Sequence, residues 1–283
     1  MRKILVTGSN GQLGLHFKNI PNSSLFSMIY THHSPFSGFI NMDISNEEQV
    51  RSVLQKFNPD IIINTAAITD VDLCQKNKLL ARRVNVDGLK NLIKHSKLKA
   101  KIIQISSDYI FDGFSGFYSE NSTPNPLSYY GKTKLEAENI LISSNKNFII
   151  IRVSTLFSNI SINFYNWVLS NLSKNNHIKV AKDQISNPCY ALNLINFIYD
   201  LILLDFNGKI NFGSKNSISK LNFANDIADE NNLDKHLIEE VKIKDINFEA
   251  DRPLNSSFDL SLCNDLNINL FNIKDTLKYM ANI

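Results

Sequence analysis

Lys3-Ile-Leu-Val-Thr-Gly-Ser-Asn-Gly-Gln-Leu-Gly14 gathers three of the chain's ten glycines, Gly8, Gly11 and Gly14, into seven residues. In a 283-residue chain otherwise poor in glycine, such crowding has a local backbone cause. Lys3 to Thr7 reads as a short buried strand and Leu13 to Ile20 as a helix, so the glycines fall at a strand-to-helix turn. A turn of that kind lets backbone approach a pyrophosphate, to which the helix N-terminus offers free N–H groups and partial positive charge. Gly8, Asn10, Gly11, Gln12, Leu13 and Gly14 are therefore candidate dinucleotide contacts. Their G-x-x-G-x-x-G spacing differs from the commoner G-x-G-x-x-G, and a tight turn with a packing glycine is the structural alternative.

Outward from this turn the alternation continues. Leu25 to Thr31 reads as a second strand, and Ser45-Asn-Glu-Glu48 as a capping box for a helix ending before Pro59. Asp60 to Asn64 reads as a strand, Leu73 to Leu98 as helical, Lys101 to Ser106 as a strand, Ser128 to Leu141 as a helix and Asn147 to Arg152 as a strand. Strands apolar throughout and separated by helices imply a parallel sheet covered on both faces. The fold class is therefore α/β, a Rossmann-type doubly wound parallel sheet with a smaller C-terminal substrate-binding lobe. Residues 1–153 are expected to form the cofactor-binding domain. Residues 154–283, where Asn, Ser and Pro separate short helices, are expected to form mainly the substrate lobe, interleaved with the last strands of the sheet.

Composition narrows the class of partner. Hydrophobic residues at 43% and charged residues at 20% exclude a disordered chain, and a net charge of +3 is too small and scattered to predict nucleic acid or a membrane as partner. The densest basic stretch, Lys94 to Lys101, reads as a solvated helix end. Cys74, Cys189 and Cys263 are odd in number and far apart, with no C-x-x-C pair or histidine at ligand spacing, which predicts free thiols, no metal site and a reducing compartment. The apolar run that ends at Gly8 is too short for a signal peptide, and no later run nears the roughly 20 residues that cross a bilayer, so a cytoplasmic location is expected.

No Asp or Glu precedes Asp43, so the second strand runs into Thr31-His32-His33-Ser34 without the acid that holds a ribose 2'-hydroxyl. NADPH is expected over NADH, with Thr31 and His32 at the ribose and Arg2, Lys3, Lys18 or His33 nearby; the histidines read equally well as solvated loop residues. Asp43, with Ile44, follows a short apolar run and either accepts from the adenine amino group or caps a helix. The chemistry points to Tyr130-Gly-Lys-Thr-Lys134, in which Tyr130 and Lys134 share a helix face, and to Ser107 at a strand end. A neighbouring cation lowers a phenol's pKa, so Tyr130 is expected to protonate a ketone oxygen as hydride arrives, with Ser107 positioning that oxygen.

These motifs resemble the extended short-chain dehydrogenase/reductases, and among them the sugar-nucleotide 4-keto reductase group, over essentially the whole chain. The matching stretches are Lys3 to Gly14, Pro59 to Ala67, Thr69 to Asp72, Asn85 to Gly88, Ser106-Ser-Asp-Tyr-Ile-Phe-Asp-Gly113, Pro124 to Glu136, Asp183-Gln184 and Arg252-Pro253. The resemblance implies that Ala66 and Ala67 line the cofactor and that Ser107, Tyr130 and Lys134 are catalytic. It also implies that Ser107, Asp108 and Tyr109 face the sugar, with Thr155, Asn163 and Arg252 on the substrate side. Related dehydratases carry Glu where Tyr109 stands, which favours simple reduction. Thr155 replaces a tryptophan, Cys189 a threonine and Gln75 a glutamate of the group's pattern, and Thr155 with the surroundings of Cys189 is expected in the sugar pocket. The implied function is NADPH-dependent reduction of the 4-keto group of a nucleotide-linked 6-deoxyhexose for surface polysaccharide synthesis, with NADH as second cofactor option and a homodimer as an open option. Two alternatives are a non-catalytic regulatory subunit resembling the methionine adenosyltransferase β subunit, and a sugar-nucleotide epimerase.

Overall fold

The computed structural model describes residues 1–19 and 25–282; Ile20, at the end of the first expected helix, lies outside them. Seven strands, β1 (Arg2–Thr7), β2 (Phe26–His32), β3 (Ile40–Asn41), β4 (Ile61–Asn64), β5 (Lys101–Ser107), β6 (Asn147–Val153) and β7 (Gly208–Phe212), form one sheet. Its order is β7-β6-β5-β4-β1-β2-β3, and every pairing is parallel. The order reverses between β1 and β4, the switch point beside which doubly wound sheets open a ligand crevice.

The α-helices are α1 (Gln12–Asn19), α2 (Glu47–Phe57), α3 (Val71–Lys76), α4 (Lys78–Arg82), α5 (Gly88–His95), α6 (Tyr129–Ile142), α7 (Phe164–Leu172), α8 (Ala191–Leu203), α9 (Lys220–Glu230), α10 (Ser261–Asp265) and α11 (Ile273–Ala281). Alternation along the strands divides their side chains between two buried faces. Ile4, Val6, Ile63, Ile103 and Ile151 pack under α1 and α8. Leu5 and Ile62 pack under α2 and α5, and Ile102 and Ile150 under α5 and α6. Both faces are covered, which is why the strands read as unbroken apolar runs. Residues beyond Val153 supply β7 and α8, and they also enclose a second core in which Phe157, Val168, Tyr190, Phe223 and Ile227 meet.

Three local expectations are corrected. The capping box does not form: Asn46, not Ser45, accepts from Gln49 N at 3.1 Å, while Glu48 pairs with Arg51. The helical region expected from Leu73 is broken into α3, α4, a π-helical turn over Arg83–Asp87, and α5. Asn77 interrupts it by capping α4, and Asn85 is held inward by the backbone N–H and C=O of Ile68 and by Thr133 Oγ1. The basic stretch is only partly solvated, because Lys101 lies on β5 with Nζ 2.5 Å from Asp205. Among the described residues no helix is long and apolar enough to cross a membrane.

The largest fully buried side chain is that of Arg152 on β6. Its guanidinium meets the Glu138 carboxylate at 2.7 Å (Nη2 to Oε2) and 3.1 Å (Nε to Oε1), and donates to Glu120 O at 3.1 Å. Ser106 Oγ donates to the same carboxylate at 2.5 Å. Removing one partner leaves a buried charge uncompensated, whereas replacing both with apolar groups removes the desolvation cost as well. Glu138→Ala is therefore expected to cost about 3–5 kcal/mol in urea unfolding. The double replacement Glu138→Met with Arg152→Met should cost clearly less.

Candidate active site

At the C-terminal edge of β1 the chain turns through Gly8, whose φ is +60° and whose added Cβ would lie 2.8 Å from Ala66 Cα. Gly14 is equally confined, since an added Cβ would run into Ser9 Cα, while one at Gly11 would meet only Gly8 O at 3.2 Å. The turn is pinned by Ser9 N donating to Thr31 O and Gly11 N to Gly8 O, both 2.9 Å. Gln12 Nε2 reaches across to Ser158 Oγ at 3.1 Å, tying the turn to the second half of the chain.

A cavity of about 460 Å³ opens beside this turn, lined by Gly8, Asn10, Gly11, His32, His33, Asp43, Ile44, Ala66, Ala67 and Arg83 among others. Asp43 combines its two readings, since Oδ1 accepts from Ser45 N at 2.8 Å while the residue lines the cavity. A second cavity of about 400 Å³ shares Gly11, Thr65 and Ala67 with the first. Gln12, Leu13, Ser107, Asp108, Tyr109, Tyr130, Lys134, Thr155 and Asn163 line it. The two form one groove that crosses the sheet's switch point.

At its far end α6 presents the chemistry. Ser128 caps the helix by accepting from Gly131 N at 3.2 Å. Gly131 is required because an added Cβ would meet Tyr109 O. Tyr130 is 8% exposed, its ring edge-on to Tyr109 at 5.9 Å. The Tyr109 hydroxyl oxygen accepts from Gln184 Nε2 at 3.2 Å, and burial pushes its phenol up to about 12. Ser107 Oγ donates to Asp108 Oδ1 at 3.0 Å, and Ser256 Oγ donates to Oδ2 at 2.5 Å. Burial pushes the Asp108 carboxyl up to about 6 against the pull of those two hydroxyls.

The net shift of the Tyr130 phenol runs opposite to the expected lowering. Burial raises the phenol above its ordinary value, with the Ser107 hydroxyl pulling the other way. Lys134 Nζ donates to Ile105 O at 2.6 Å, and burial draws the ammonium down to about 8 while Glu138 opposes that fall. Tyr130 thus holds its proton at neutral pH.

Other expected contacts lie elsewhere. Thr31 is fully buried, its hydroxyl donating to Val6 O at 3.2 Å beneath the glycine turn. Gly14 packs against Ser9 and Gly8 and lines neither cavity. Arg2 and Lys3 sit at the opposite end of β1, where Lys3 N donates to Asp60, and Lys18 lies over the Phe39 ring at 4.1 Å. Arg252 is outside the groove: both guanidinium edges meet Asp72 at 2.9 and 3.0 Å and its face lies over Phe248. Asn163 lines the cavity but spends its side chain capping α7 and donating to Ser158 O at 2.9 Å. Cys189 is buried beside Leu156 rather than in the groove. Conversely, Arg83 lines the nucleotide end, and its only signal in the sequence was a second arginine beside Arg82.

Comparison with known proteins matches residues 1–282 to the RmlD substrate binding domain family. A dTDP-4-dehydrorhamnose reductase of Aggregatibacter actinomycetemcomitans is 32% identical over 279 residues, 92% of each chain. The crystal structure of the dTDP-4-dehydrorhamnose reductase of Bacillus anthracis in complex with NADP superposes with a TM-score of 0.92 at 28% identity, covering 99% of both chains. The methionine adenosyltransferase 2 subunit beta of Danio rerio is 36% identical over 163 residues, 56% of this chain and 49% of its own.

The glycines give a contrast to measure. Gly8→Ala forces a side chain into backbone at positive φ and is expected to lower stability by about 1–3 kcal/mol. Gly11→Ala meets a single carbonyl oxygen and should leave the thermal midpoint within a few degrees of wild type.

Proposed function

The chain belongs to the RmlD substrate binding domain family, and from that premise we propose that it reduces the 4-keto group of a nucleotide-linked 6-deoxyhexose with NADPH. This is the activity named for the dTDP-4-dehydrorhamnose reductases it resembles. The observation that carries the reading is that Ser107, Tyr130 and Lys134 line one cavity continuous with the glycine-turn cavity.

The residues fit the cofactor. Gly8, Asn10, Gly11, Gln12 and Leu13 would hold the pyrophosphate at the start of α1; Asp43 and Ile44 the adenine; His32, His33 and Arg83 a 2'-phosphate; Ala66, Ala67 and Lys134 the nicotinamide half. NADPH, when bound, supplies the hydride. The chain's own part is to supply the proton. The raised phenol of Tyr130 keeps that proton until the ketone oxygen gains negative charge and then gives it up. Ser107 donates to the same oxygen once its hydroxyl turns from Asp108 Oδ1, and the buried Lys134 ammonium stabilises the phenolate left behind. Asp108, Tyr109 and Thr155 face the sugar. Residues 1–153 form the cofactor side, and residues 154–283 close the sugar side while returning β7 and α8 to the sheet. A cytoplasmic location fits three buried free thiols.

Likeness to methionine adenosyltransferase β keeps a regulatory role as the second reading, and one experiment separates the two. Tyr130→Phe is expected to lower kcat for dTDP-4-keto-6-deoxyhexose reduction by about 10²–10⁴ with NADPH affinity nearly unchanged. Wild-type turnover in the variant would overturn the mechanism, and a wild-type protein that binds NADPH but reduces none of the sugar would favour the regulatory role. His32→Asp puts a carboxylate where a 2'-phosphate would lie, and should shift preference from NADPH toward NADH by about tenfold or more. Fluorescence titration of both cofactors checks it, and a wild type that prefers NADH would overturn the assignment of that end.

A further inference from the structure

The first residue of α9, Lys220, carries a charge that the chemistry above does not use. The residue is half-buried. Nζ lies 4.4 Å over the Phe164 ring and donates to Thr155 Oγ1 at 2.5 Å. Among the described residues Thr155 is its one hydrogen-bond acceptor, and the opposite charge acting on it is Asp108, beyond ion-pair distance. Burial draws the ammonium down to about 8, opposed by that carboxylate.

Drawing an ammonium with three donors partly out of water is unfavourable unless those donors are satisfied. What Lys220 reaches is a wall residue of the sugar end of the groove: Thr155 and Asp108 line the same cavity as Tyr130. Thr155 is fixed on every other side. Its N–H donates to Ser154 Oγ at 2.6 Å, and its carbonyl accepts from Cys189 N at 2.9 Å. With one lone pair of Oγ1 taken by Nζ, the hydroxyl proton is left to be donated toward the cavity.

We propose that Lys220 is a positioning residue for substrate specificity: it holds the Thr155 hydroxyl as a donor to an oxygen of the sugar ring's substituents, selecting a hydroxyl-bearing hexose over an apolar one. This rests on the nucleotide-sugar reading given above. Lys220 does not itself touch the reacting atoms. Its effect passes through Thr155, so the two residues act as one unit.

Isothermal titration of the NADP⁺-loaded protein with dTDP and with dTDP-glucose separates the sugar's contribution from that of the nucleotide. Lys220→Met is expected to weaken dTDP-glucose by up to about tenfold, the scale of the neutral Thr155 hydrogen bond that is lost. Affinity for dTDP should be unchanged. Thr155→Val should do the same, the double variant should be no worse than either single one, and Lys220→Arg should retain most of the affinity. In turnover the loss should fall on KM with kcat little changed. Equal weakening of dTDP and dTDP-glucose, additive single effects, or wild-type binding by Lys220→Met would each overturn the proposal while leaving the reductase reading intact. A wild type that binds neither compound would overturn both. Should Lys220→Met fail to fold, Thr155→Val against Lys220→Arg decides the same question, since loss of the sugar increment in the first and retention in the second is the expected pair, and any other pairing overturns the proposal.

Discussion

The buried pairing of Arg152 with Glu138 is the constraint on which the reactive end of the molecule depends. It joins β6 to α6, takes in Ser106 of β5, and reaches the loop at Glu120. Glu138 stands at i+4 from Lys134, which stands at i+4 from Tyr130, so one helix face carries the anchor, the cation and the phenol in sequence. Fixing the anchor fixes the rotation of α6 about its axis, and with it the direction in which Tyr130 points. Ser106 bonds the anchor, and both it and its neighbour Ser107 line the cavity of Tyr130. Such a buried ion pair gains little over apolar packing; what it supplies is a single geometry.

The same groove shows how charge is handled away from water. Tyr130, Asp108 and Lys134 are each shifted by burial toward their neutral forms. A groove whose groups tend to neutrality is one into which a bound substrate brings the charge, and fixed donors such as the Ser107 hydroxyl are then worth more than in solvent.

Much of this was legible in the sequence where local and global demands coincide. Ile61 to Ile63 and Ile149 to Ile151 are apolar because both faces are covered, and Gly8 and Gly14 are glycines because backbone or Cα atoms stand where a Cβ would go. Tyr130 and Lys134 declare themselves by helical spacing. The failures have a common cause in partners remote along the chain. Arg252 was expected on the substrate side, and the structure pairs its guanidinium with Asp72, 180 positions earlier. The helix expected from Leu73 is broken because Asn85 is clamped by Ile68 and Thr133. Thr31 points into the core because β2's last turn lies beneath the glycine loop. Lys220 has no sequence signature, since only the fold brings it to Thr155, 65 residues away.

The seventh strand has a consequence for how the protein is made. β7 pairs with β6 only after the chain has passed through some 55 residues of the other lobe, and α8, which seals the face over Ile103 and Ile151, comes from the same excursion. A nascent chain that has emerged only as far as Val153 presents β6 as an unpaired edge and leaves an isoleucine-rich face uncovered. Such a surface invites strand addition by other chains. The dinucleotide-binding half is thus contiguous in sequence but not self-sufficient in assembly, and its completion waits on synthesis of residues 191–212.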